Sequence, residues 1–123
     1  MKSIAIAAGV VFWMSAPVQA LSQERTGPAP SCALSVQFGS FAMGIDQPTL
    51  AKVTKLLNRD RGVVSVETWR WGREGEVTLC ATTRRTADAT RLFGRVKTLF
   101  PRKPRGPLTV EAGERRFVTR YGP

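Results

Sequence analysis

An α+β sandwich, one antiparallel sheet with two helices on one face, follows from three features of this 123-residue chain. Short runs of period-two hydrophobicity and two runs of helical period succeed one another in the order strand, helix, strand, strand, helix, strand. Gly62, Gly72, Gly75, Pro101, Pro107 and Gly113 punctuate those runs. The only two cysteines, Cys32 and Cys80, fall at the opening of the first strand and near the end of the third.

Residues 1–20 read as a signal peptide. Lys2 is followed by an apolar run from Ile4 to Met14. Ser15, Ala16 and Pro17 break the run, and Val18-Gln19-Ala20 supplies a small-x-small site for cleavage after Ala20. The run falls short of the ~20 apolar residues that span a bilayer. Cys32 lies too far downstream for a lipid-modified cysteine. The chain is therefore expected to be exported, periplasmic or extracellular. Residues 21–31, with Pro28 and Pro30, read as a flexible leader, and 32–123 as a single small α+β domain.

From Cys32 to Phe38 the residues alternate, with Cys32, Leu34, Val36 and Phe38 on one face and Ala33, Ser35 and Gln37 on the other. Gly39 and Gly44 have the spacing of a phosphate loop, but Ile45 and Asp46 stand where such a loop needs Lys and Ser or Thr. Asp46 is an N-cap, Pro48 suits a first turn, and Leu50, Val53, Leu56 and Leu57 form a helical stripe with Lys52, Lys55 and Arg59 turned away from it. Gly62 is the expected stop. Val63 to Trp71 is the second strand, with Val64 and Val66 on one face and Glu67, Trp69 and Trp71 on the other. A turn at Gly72–Gly75 leads into the third strand, Glu76 to Thr82. Thr86 is the expected cap of a second helix, whose stripe is Ala89, Leu92, Phe93, Val96, Leu99 and Phe100. Gly94 within it suggests a close approach to the sheet, and Pro101 ends it. A basic link, Pro101 to Pro107, precedes a fourth strand at Leu108–Glu111 and a fifth, closing strand at Arg115–Thr119.

This order resembles the ferredoxin-like βαββαβ arrangement over Cys32 to about Val110. The resemblance is to a fold that hosts unrelated activities and implies none of them. It places the first and third strands side by side and antiparallel, which brings Cys32 near Cys80. A disulfide is expected there, contributing about 4 kcal/mol. The face pattern conflicts with it, because Cys80 alternates away from Val77 and Leu79. A bulge, or Cys32 standing just outside the ladder, removes the conflict.

Nineteen Lys and Arg oppose nine Asp and Glu, a net charge of +10. For an exported chain such a balance favours anionic partners: lipid headgroups, lipopolysaccharide, acidic wall polymers or nucleic acid. With no histidine in the chain, the commonest general base and many metal sites are lacking, so the chain reads as a non-enzymatic module with no cofactor and no metal. Glu74, Glu76 and Asp88 suit turn and cap positions, and Ser35 and Ser65 have no base in view. Two binding candidates remain. Trp69, Arg70, Trp71 and Arg73 interleave aromatic and basic residues on what should be an edge strand, open to an added strand from a protein partner such as an assembly factor or inhibitor. Arg102, Lys103 and Arg105 form a second, separate basic patch for an anionic envelope polymer or lipid headgroup.

Overall fold

Two helices each follow a pair of strands and a third pair closes the chain, in a computed structural model that describes residues 22–119. The signal peptide expected over 1–20 lies outside the described residues. The elements are β1 (Ser22–Thr26), β2 (Leu34–Phe38), α1 (Gln47–Arg59), β3 (Val63–Trp71), β4 (Glu76–Thr83), α2 (Thr86–Leu99), β5 (Leu108–Ala112) and β6 (Arg115–Val118). They form an α+β fold with a six-stranded mixed sheet, in the order β1-β3-β4-β2-β5-β6.

Period-two alternation puts Leu34, Val36 and Phe38 of β2 opposite Ala81, Leu79 and Val77 of β4, and Val36 and Phe38 opposite Val110 and Leu108 of β5. All eight are buried in one cluster with Val53 and Leu57 of α1 and Ala89, Leu92 and Val96 of α2. Both helices thus cover the same face of the sheet. Asp46 caps α1 as expected. One carboxylate oxygen accepts the Thr49 N–H at 3.1 Å, and the other accepts the N–H of Arg105 at 3.0 Å.

Several expectations need correction. The sheet is mixed because Ser22–Thr26, read as part of a flexible leader, pairs in parallel with β3 from Ser22↔Val66 to Thr26↔Arg70. This supplies partners for backbone groups that β3 would otherwise leave bare at an edge. Glu24 is ion-paired with Arg70, and Arg25 approaches Glu67 at 3.8 Å while lying over the Trp69 ring. Arg85, not Thr86, is the N-cap of α2 and makes no side-chain cap bond, while Asp88 supplies negative charge in the first turn. α1 stops at Asp60, whose N–H bonds the Leu56 carbonyl; Gly62 instead donates to the Asp60 carboxylate at 2.8 Å. A register shift between Val63 and Ser65 turns Val64 out to solvent, away from buried Val66. Gly94 lies on the exposed side of α2, where an added Cβ would meet nothing within 4 Å, so close packing on the sheet is not its role.

The Cys32–Cys80 disulfide is present, with a Cα–Cα distance of 5.5 Å. Cys32 stands two residues before β2 begins, outside the ladder, which removes the parity conflict. Among the described residues no helix is long and apolar enough to cross a membrane.

Candidate functional site

Strand geometry separates the residues that the sequence interleaves. Trp69 and Trp71 project onto the sheet face away from the helices, where both are partly buried. The Trp69 indole donates to the Glu67 carboxylate at 3.1 Å, and the Trp71 indole to the Thr78 hydroxyl at 3.0 Å. Arg70 points to the opposite face toward Glu24, so it does not share a surface with the two indoles. Nor is β3 an edge strand over most of its length. β1 covers Val66 to Arg70, and Gly27 extends the cover with an N–H to the Arg70 carbonyl at 2.7 Å. The partner strand expected at that edge would have to displace β1.

Arg73 is exposed in the β3–β4 turn, and Arg102, Lys103 and Arg105 are exposed in the link before β5. The segments that carry both groups are tied to one loop, residues 39–46. The loop is tied to the link by the Gly39 N–H to the Pro107 carbonyl at 2.9 Å, and to the turn by the Ser40 hydroxyl bonded to Glu74. Gly106 is required for this closeness, because a Cβ there would fall 2.2 Å from the Gly39 carbonyl oxygen.

A second concentration of unmatched charge lies between the helices. Helical period aligns Lys52, Lys55 and Arg59 along the solvent side of α1, and Arg61 follows the helix end. Arg95 faces them from α2. A groove of about 520 Å³ runs between, floored by Leu56 and Leu99. Its one acid, Asp60, is already engaged. The Arg91 guanidinium grips the Asp60 carboxylate at 2.6 and 2.8 Å, and Arg95 lies 3.8 Å away. The Arg91 hydrogen bond is the main reason the Asp60 carboxyl is lowered to about 2; burial opposes it, and the Gly62 N–H and the neighbouring guanidinium charges assist it. Arg91 also reaches Asp88 at 3.1 Å, and this bond, against the opposing effect of burial and with help from Arg85, holds the Asp88 carboxyl below its ordinary range. Among the described residues, no acid lies within ion-pair distance of Lys52, Lys55, Arg59 or Arg61.

The acids once weighed for chemistry serve the backbone and the guanidinia. Glu76 accepts the Glu74 N–H at 2.8 Å inside the turn, and Asp88 is held by Arg91 and Arg85. The outward side of α1 was legible as a row of cations; that Arg95 of α2 joins it depends on helix packing, which no local pattern carries. No protein-family model matches the chain, and no curated protein and no solved structure is significantly similar to it.

Proposed function

We propose that this chain is an exported, non-enzymatic binding module for an anionic component of the cell envelope, recognised through its phosphate or carboxylate groups. The single observation that carries the reading is the interhelical groove, where Lys52, Lys55, Arg59 and Arg61 have no acid to neutralise them. Export is supported by the Lys2-to-Ala20 pattern and by a disulfide, which persists in oxidising compartments. The non-enzymatic reading rests on the lack of histidine and on acids committed to caps, turns and ion pairs. The same proposal takes the inner strands β3-β4-β2-β5 with α1 and α2 as a ferredoxin-like βαββαβ unit, to which β1 and β6 are added at the two edges; the central antiparallel β2–β4 pair supports it.

The test is retention of residues 21–123 on heparin and on immobilised polyphosphate across a salt series. Lys52→Glu with Lys55→Glu and Arg59→Glu should weaken retention and reduce the salt slope by about one per lost contact. All three side chains are exposed, so folding should be unaffected. A wild-type chain that passes through both matrices at physiological salt sinks the proposal.

A further inference from the structure

The loop at residues 39–46 carries the most exposed large apolar side chains among the described residues. Met43 is 92 % exposed and Phe41 47 %. This is not a slack excursion of the chain. The Ser40 hydroxyl accepts the N–H groups of Ala42 and Gly44 at 3.1 and 3.0 Å. Ala42, between the two apolar residues, has φ 80°, a left-handed conformation that a residue with a Cβ adopts at a cost. The loop is further anchored to the link and to the β3–β4 turn through Gly39 and Ser40. A backbone held in an unfavourable conformation, with the Met43 side chain presented almost wholly to water, is costly twice over.

The segments tied to this loop carry the exposed cations Arg73, next to Glu74, and Arg102, Lys103 and Arg105, the last with its N–H bonded to Asp46 at 3.0 Å. An apolar tip with basic segments tethered beside it matches the two layers of a membrane interface. Apolar groups enter the acyl boundary, and cations meet anionic headgroups. We propose that this end of the molecule docks on an anionic lipid bilayer, with Phe41 and Met43 inserted and the four cations on phosphate headgroups. The proposal goes beyond the groove and does not depend on it. The tip lies at the N-terminal end of α1 and Arg59 at its C-terminal end, 13 residues or roughly 20 Å along the helix axis.

The experiment uses residues 21–123, which contain the entire described core and both cysteines. Partition is measured on vesicles of phosphatidylcholine with about a third phosphatidylglycerol, and on phosphatidylcholine alone. The chain should prefer the anionic vesicles. Phe41→Ser with Met43→Ser should lower partition about tenfold while leaving polyphosphate retention intact. Arg102→Glu with Lys103→Glu and Arg105→Glu should abolish the preference for anionic vesicles. Lys52→Glu with Lys55→Glu and Arg59→Glu should weaken polyphosphate retention and keep vesicle partition, so failure of the groove and failure of the tip read differently. A Met43→Trp reporter should shift its emission to the blue on anionic vesicles. Equal partition to both vesicle types, unchanged partition of the Phe41/Met43 variant, or vesicle binding lost only in the groove variant overturns the proposal. So does a tip variant that keeps its vesicle partition but loses a protein partner from an envelope extract.

Discussion

Breaking the Cys32–Cys80 bond should lower the stability of this fold substantially. The bond closes a loop with a sequence separation of 48. In the chain-entropy account, opening a loop of that length restores disorder to the unfolded chain worth about 4 kcal/mol. For a domain of this size the unfolding entropy at the midpoint is roughly 0.2 kcal/mol/K, so the midpoint should fall by about 20 °C. Cys32 tethers the segment that leads from β1 into β2, so the reduced protein should lose the β1–β3 pairing first, before global unfolding. The assay is thermal and denaturant unfolding of oxidised protein beside Cys32→Ser with Cys80→Ser, with hydrogen exchange at Thr68 and Arg70, whose backbone groups face β1, as the local readout. Alkylation of unreduced protein should add no label. Two labels per chain, or a stability loss under about 1 kcal/mol, refutes the reasoning.

Two further outcomes follow from particular side chains. The folded Asp60 carboxyl titrates at about 2 against an ordinary 3.8, so its stabilising effect is fully present above about pH 4 and is lost as the pH falls through 2. After allowance for solvent screening this amounts to about 1 kcal/mol. The stability gap between wild type and Asp60→Asn should therefore shrink on acidification from pH ~5 to ~2, and a constant gap would contradict the assignment to Arg91. Gly94→Ala should raise stability by up to ~1 kcal/mol, a midpoint gain of about 5 °C, since the site is helical, exposed and open to a Cβ; a loss on calorimetry would show that the glycine has a role its surroundings do not reveal.

The parts of the fold that bury apolar side chains were legible in advance, because burial imposes a period. Leu34, Val36 and Phe38 alternate, and Ala89, Leu92 and Val96 recur at helical spacing, since each set must face one core. β1 was not legible for the same reason. Ser22–Thr26 contains no large apolar residue and is held by backbone pairing and by Glu24 and Arg25. Hiding β1 also hid the fate of Trp69, whose strand was expected at an edge. The shift at Val64 shows the limit from the other side: a valine in an apolar run looks like core, but one extra residue in the ladder sends it to solvent. For the basic groove, the α1 half was readable as Lys52, Lys55 and Arg59. Arg95 and Arg61 join only once the two helices pack side by side.

The charge surplus of this chain becomes informative once its acids are located. All but Glu114 of the nine acids are engaged in structural work. Asp46 caps α1 and Glu76 holds the β3–β4 turn. Glu74 takes the Ser40 hydroxyl, Asp60 and Asp88 share Arg91, and Glu24, Glu67 and Glu111 meet Arg70, Arg25 and Arg116. A surplus spread evenly for solubility would leave unmatched cations on every face. Instead, on the sheet face away from the helices, Arg25 and Arg116 each meet an acid. Of the eleven described cations outside any ion pair, eight lie in the interhelical groove or in the segments tied to the 39–46 loop, the first with an apolar floor of Leu56 and Leu99 and the second with an apolar tip of Phe41 and Met43; Arg84, Lys97 and Arg115 lie in neither. Repulsion within each cluster weakens the folded state when nothing is bound, and an anionic partner relieves it. Binding of polyphosphate in the groove or of anionic lipid at the tip should therefore raise the unfolding midpoint as well as register as affinity, and by more at low salt, where screening is least.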